Sequence, residues 1–131
     1  MATEMAPPGG DLSYQANADL RTKQYYILEL LNTEKVDVCN SASDVGFGVL
    51  QNKPDSGQAA QVRVAPGYKT KVVSDGSGTA IAVGDWVGTG STGKAIKKTT
   101  DKDWVLGVAE DASTADGTII TVRLQPGFLA A

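Results

Sequence analysis

The sequence predicts a small all-β protein, either a sandwich or a barrel, from three observations. Short segments rich in valine and threonine alternate apolar with polar residues, which is the period of a strand with one buried face. Runs of Gly, Pro, Asn and Asp separate these segments at close intervals. No stretch of the body keeps a helical apolar period over three turns. The 131 residues, 41% of them hydrophobic and 15 of them glycine, fit one domain with a thin core.

The chain is predicted to divide into an extended, flexible N-terminal arm, residues 1–20, and a single β-rich domain, residues 21–131. The opening of the arm has no apolar period and contains Pro7-Pro8-Gly9-Gly10. The rest of the arm is polar with a few scattered apolar side chains. The alternatives are a plain flexible terminus and an arm that becomes ordered on a partner. In the second case the candidate contact residues are Leu12, Tyr14, Leu20, Tyr25 and Tyr26.

The body is predicted to begin with a strand, because the apolar residues Tyr26, Leu28 and Leu30 occupy every second position. Turn chemistry at residues 32–35 precedes a second strand over residues 36–39. Short strands and turns then recur to the end of the chain. Further turns are predicted at residues 53–57, 66–67, 75–78, 84–85 and 116–117.

An internal repeat lies in this body. Residues 57–68 match residues 117–128, and Gly48-Val49 matches Gly107-Val108. The alternatives are chance likeness of two hairpins and two related units that close one sheet system, which we favour. Strand alternation places one set of side chains in the core, namely Val62, Val64, Val122 and Leu124. A second set is expected to pack or to form a subunit interface, namely Arg63, Arg123, Trp86 and Trp104.

Composition excludes several functions. The 12 basic and 15 acidic residues give a net charge of −3 without a basic block, so a nucleic-acid partner is not expected. The longest apolar run, residues 25–28, is too short to span a bilayer, and no signal-peptide pattern opens the chain. There is no histidine, and Cys39 is the sole cysteine, which leaves no disulfide and no usual metal cluster. We therefore predict no catalytic residues, no cofactor and no metal, with Cys39 buried.

One motif resembles a nucleotide-binding loop. Residues 88–95 have its glycine and lysine spacing, but Ala95 stands where a Ser or Thr hydroxyl would hold magnesium. The β-branched and basic residues that follow are a poor start for a helix. The segment is therefore predicted to be a glycine-rich hairpin loop, and a nucleotide-dependent enzyme is declined.

Several short motifs, in this order and spacing, resemble the head-decoration (capsid cement) proteins of tailed bacteriophages. The resemblance covers roughly residues 20–127. The motifs lie at residues 23–26, 48–54, 57–67, 81–85, 107–109 and 124–127.

The resemblance implies a β-tulip-like body, similar in architecture to the decoration protein of phage lambda. It further implies a trimer at or near local threefold axes on the outer surface of an expanded head, where it ties neighbouring major capsid proteins together. The implied partners are the major capsid protein and further copies of the chain, with no membrane and no cofactor. The implied location is the virion surface after synthesis in the host cytoplasm. The alternative is a small β-rich adhesion or ligand-binding module of a tail or cell surface.

Overall fold

The computed structural model describes residues 11–130, which form ten β-strands in two closed five-stranded barrels. The described residues contain no helix, which confirms the all-β prediction, and none of their segments is a long apolar helix that could cross a membrane. The first barrel consists of β1 (Asp11–Ala16), β2 (Ile27–Leu30), β3 (Lys35–Val38), β4 (Gly48–Leu50) and β5 (Ala59–Arg63). The second consists of β6 (Lys69–Asp75), β7 (Trp86–Thr89), β8 (Ala95–Lys97), β9 (Trp104–Ala109) and β10 (Asp116–Phe128).

The two barrels have the same topology. Around the first barrel the strands run β1-β3-β2-β4-β5, and around the second they run β6-β8-β7-β9-β10. In each barrel the first and third strands are parallel, and all other neighbours are antiparallel. The chain is therefore built from two copies of one barrel in tandem.

The strand registers of the two barrels also correspond. Leu50 pairs with Val62 in the first barrel, and Ala109 pairs with Val122 at the matching place in the second. The predicted repeat is thus one part of a duplication that spans the whole barrel. The prediction of one sheet system is wrong, because the first strand of each unit bonds to the third and fifth strands of its own unit. Each unit therefore closes by itself.

The core of the second barrel extends into the first, whose other buried side chains form a separate cluster. Ile27, Cys39 and Val49 come from the first barrel and pack in one buried cluster with residues of the second. The backbones also meet, since the N–H of Ile27 donates a 2.8 Å hydrogen bond to the carbonyl of Gly93. Gly93 has a φ of 78° and lies so close to Val38 that a Cβ atom would clash with it. The close approach holds the barrels against each other.

Residues 11–20 belong to the first barrel. β1 pairs antiparallel with β5 over residues 11–15 and parallel with β3. Leu20 is 2% exposed, and its N–H donates to the carbonyl of Pro54. The prediction of a flexible arm is therefore wrong for this segment, because β1 supplies the hydrogen bonds that close the barrel. The remainder of the predicted arm, residues 1–10, lies outside the described residues.

Candidate interaction surfaces

The side chains predicted to face inward lie at the cores of the two barrels. Val62 and Val122 are fully buried at equivalent positions of β5 and β10, and Leu124 is 1% exposed. Val64 is half-buried and packs against the core of the first barrel. Val62, Val122 and Leu124 therefore stabilise the barrels and offer no surface to a partner.

The predicted arm contacts are mostly used inside the first barrel. Leu20 is a core residue, so its assignment as a capsid contact is wrong. Tyr14 is half-buried and meets Phe47 edge to face at 4.9 Å between ring centroids. Leu12 is half-buried on the same strand. β1 therefore has little apolar surface left for a partner.

Tyr25 and Tyr26 are half-buried and each lies under a lysine. The ammonium of Lys23 is 4.8 Å from the Tyr26 ring centroid, and that of Lys71 is 5.9 Å from the Tyr25 ring centroid. Such cation–π contacts hold a ring and a charge together at a surface.

The two tryptophans have different environments. Trp104 is 8% exposed and belongs to the shared core. Trp86 is half-buried and lines a shallow groove of about 320 Å³ together with the C-terminal segment. Phe128, which is 64% exposed, also lines this groove. Of the two, Trp86 is the one that a neighbouring molecule could contact.

The phosphate-loop lookalike is a hairpin turn, as predicted. β7 and β8 pair antiparallel on either side of it, and the N–H of Gly90 donates to the carbonyl of Lys94 at 2.8 Å. The ammonium of Lys94 forms an ion pair with Asp116 at 2.8 Å. No helix follows within the described residues, so the amide cradle of a nucleotide site is missing there.

Glu29, Cys39 and Asp44 form a cluster whose ligand atoms all lie within 4.8 Å of one another. Burial raises the pKa of the Cys39 thiol to about 12, so the thiolate that binds metals is suppressed. Burial and the hydrogen bond with Asp44 raise the pKa of Glu29. Burial opposes the shift of Asp44, but hydrogen bonds from Glu29 and from the N–H groups of Asn40 and Ser41 lower its pKa. Glu29 therefore keeps its proton to a higher pH than a free carboxyl does, beside a thiol whose ionisation burial disfavours.

A polar cleft of about 370 Å³ lies where the two barrels meet. Its charged wall comes from β5 and β6. The lining residues are Tyr25, Gln51, Arg63, Lys69, Thr70, Lys71 and Thr121.

Ion pairs and hydrogen bonds fix much of this cleft. Arg63 bonds Asp11 through Nε at 2.8 Å and the carbonyl of Lys69 through Nη1 at 3.1 Å. The ammonium of Lys69 is 2.9 Å from Glu110. Gln51 Nε2 donates to Thr70 Oγ1 at 2.8 Å. The cleft is therefore a preformed polar surface at the joint of the barrels.

Tyr25 lines this cleft and has a strained backbone conformation. Its φ is 70°, in the left-handed region that aromatic residues rarely adopt. Its N–H donates to Leu50 of the first barrel, and its carbonyl accepts from Val73 of the second. Such strain persists where the surrounding structure enforces it, and it concentrates at functional sites.

Sequence reasoning found only Arg63 and Tyr25 of this cleft. It missed Lys69, Lys71 and Gln51, which lie in segments that looked like ordinary strand and turn. The internal repeat contains the information that locates these two lysines. Extended upstream of β5 and β10, it aligns β1 with β6, and this places the two lysines beside the matched hairpins.

The chain is an all-β protein of two fused barrels. Its candidate sites are a cleft and a groove on the surface, which suit contacts with another molecule. A family model described as phage cement protein matches residues 7–124, which is most of the chain. The chain belongs to this family of phage capsid proteins, and its role is therefore structural. This confirms the resemblance found in the sequence.

A solved structure has a similar fold. The head fiber gp8.5 N base in bacteriophage phi29 superimposes with a TM-score of 0.64 at 22% identity, over 92% of this chain and 99% of that chain. No match was found among curated proteins.

Proposed function

We propose that this protein binds the outer surface of an expanded phage head as a trimer and cements neighbouring major capsid proteins, at or near local threefold axes. The observation that carries this proposal is the phage cement family match, which covers both barrels from residue 7 to residue 124. A phage head fiber base with the same fold supports it. The chain would be made in the host cytoplasm and added to the finished head.

The closed barrels restrict how such binding occurs. Every described strand has a partner on both sides, although β1 pairs with β3 at only two residues and β6 with β8 at only one. The free backbone edge for strand addition is therefore short, and we expect most contacts to come from side chains and loops. Each is weak, and a trimer raises their combined affinity through high effective concentration.

Two groups of residues are candidates for these contacts. The partly exposed residues Leu12, Tyr14, Tyr25 and Tyr26 remain candidates for the capsid, since Leu20 is buried. The candidates for the subunit interface are Trp86 and Arg63, while Trp104 contributes to the core instead. Arg123 is exposed and is a candidate either for that interface or for the capsid contact.

Co-sedimentation tests this function. Expanded heads assembled without the protein are mixed with it, pelleted and analysed for bound chain, with unexpanded heads as the matched control. We expect saturable binding to expanded heads and weaker binding to the control. Light scattering gives the mass of the free protein and of the protein released from heads. We expect the released protein to be a trimer. Absence of binding to expanded heads would contradict the proposal.

A further inference from the structure

The two barrels differ at one cross-strand pair that the duplication places in the same position. In the first barrel Asp11 lies opposite Arg63, and in the second Lys69 lies opposite Arg123. Arg63 and Arg123 occupy the same position of the repeat. The acidic member of the first pair has become a base in the second.

This difference changes the charge balance. Asp11 and Arg63 form an ion pair at 2.8 Å, so the first barrel neutralises its own arginine. Like charges directly opposite each other destabilise a sheet. The Lys69 and Arg123 pair lacks the attraction of the first pair, although Glu110 at 2.9 Å from the Lys69 ammonium offsets part of the repulsion. The first barrel shows that the fold accommodates an acid at this place.

The surrounding side chains enlarge this positive surface. Side chains alternate along a strand, so Lys71 lies on the same face as Lys69, and Thr121 on the same face as Arg123. Within residues 11–130, neither Lys71 nor Arg123 has a carboxylate within 4.0 Å. Two cations without an acidic partner thus lie on a face that leads into the cleft between the barrels.

We propose that this cleft and its rim bind an acidic peptide segment of the partner. The carboxylates of the peptide contact the ammonium of Lys71 and the guanidinium of Arg123. The inference rests on the proposed function, in which that segment belongs to a capsid subunit. The ring of Tyr25 lines the cleft beside the ammonium of Lys71, where the peptide would lie. Charge-assisted hydrogen bonds between ammonium or guanidinium groups and carboxylates are among the stronger polar contacts of an interface.

The rim favours a peptide over a nucleic acid. Asp11 and Glu110 lie beside Arg63 and Lys69, and the whole chain carries a net charge of −3. A continuous row of phosphates would meet these acids as well as the cations. Single carboxylates spaced along a peptide can reach the free cations without that repulsion.

A titration followed by nuclear magnetic resonance tests the site without any capsid. The probe is a six-residue peptide of alternating Asp and Gly, and its Asn-Gly analogue is the uncharged control. We expect the acidic peptide, but not the Asn-Gly analogue, to shift the amide signals of Tyr25, Lys71 and Thr121. No localised shift, or an equal response to the analogue, would overturn the proposal. An equal response to inorganic phosphate or to a short DNA duplex would also overturn it.

Charge reversal supplies the matched variants. Arg123→Glu breaks no ion pair of the described chain. Lys53→Glu makes the same change of charge sign at an exposed residue that does not line the cleft. We expect Arg123→Glu to raise the peptide Kd roughly tenfold or more, with Lys53→Glu near the parent value. The melting temperature of Arg123→Glu should equal or exceed that of the parent, since repulsion with Lys69 is removed. Equal affinity of the two variants would contradict the site.

Binding to expanded heads separates the two proposals. If the parent and Arg123→Glu bind heads equally well, the acidic-segment site is wrong and the cementing function stands. If the parent itself does not bind heads, the cementing function fails, and the peptide titration still decides whether the cleft takes carboxylates.

Discussion

Glu29 and Asp44 show how one residue pair links stability to pH. Burial and Asp44 raise the pKa of Glu29, so the native state keeps that proton to a higher pH than the unfolded chain does. Its contribution is therefore complete below the ordinary value of 4.5 and is lost as the pH rises through the native pKa. The lowered pKa of Asp44 has the opposite effect on stability. Its contribution is complete above the ordinary value of 3.8 and is lost as the pH falls through the native pKa.

Glu29→Gln should therefore stabilise the protein at pH 7 and have little effect at pH 4. The amide can still donate a hydrogen bond to Asp44, but it has no proton to lose. Melting temperatures by circular dichroism between pH 4 and pH 8 provide the measurement. Glu34→Gln, at an exposed turn residue, is the control for charge alone. A variant that loses stability relative to the parent as the pH rises would contradict this account.

Val62 and Val122 test the duplication at single positions. Both are fully buried at equivalent places, so alanine should destabilise the protein by about 1–3 kcal/mol at either site through lost burial and a cavity. Ile119→Ala on β10 is the control, because Ile119 is 52% exposed and should lose much less. Urea unfolding measures all three. Similar losses at the control and the valines would show that the strand faces are assigned wrongly.

Lys94→Ala tests the hairpin that resembles a phosphate loop. The Lys94 and Asp116 ion pair is partly exposed, and such pairs contribute about 0–1 kcal/mol. We expect a small change in the melting temperature. Calorimetry should detect no ATP binding by the parent. Micromolar ATP binding that this substitution removes would reverse the assignment.

At the scale of elements, β1 was the strand hardest to predict. Leu12, Tyr14 and Ala16 do alternate with polar residues, so a strand signal was present. It is weak, because Ala16 alone is fully buried. The partners of β1 lie far along the chain in β3 and β5, and local sequence carries no record of them. The hairpin of β4 and β5 was predictable because its apolar alternation is strong and it occurs twice.

Leu20→Ala tests whether the segment after β1 belongs to the barrel. Leu20 is 2% exposed, so the substitution should destabilise the protein by about 2–5 kcal/mol. Leu30→Ala is the matched control, because Leu30 is 46% exposed in the same barrel. Both tryptophans lie in the second barrel, so a lower midpoint by tryptophan fluorescence would also show that the barrels unfold together. An unchanged midpoint for Leu20→Ala would restore the flexible-arm hypothesis for this segment.

At the scale of the whole molecule, the sequence predicted the all-β class and the phage cement family, because both depend on the order of local motifs. It did not predict two separate barrels, since closure depends on pairings between distant strands. The cleft was mostly missed for the same reason. Arg63, Lys71 and Thr121 come from different strands and meet only after both barrels have formed.

We propose that this double barrel decorates the phage head from outside. Electron cryomicroscopy of expanded heads, with and without added protein, tests this location. We predict added density on the outer surface at or near local threefold axes, with three copies of the double barrel in each protrusion and contacts to neighbouring capsid subunits. A saturated sample whose difference map shows no density outside the shell would contradict the claim.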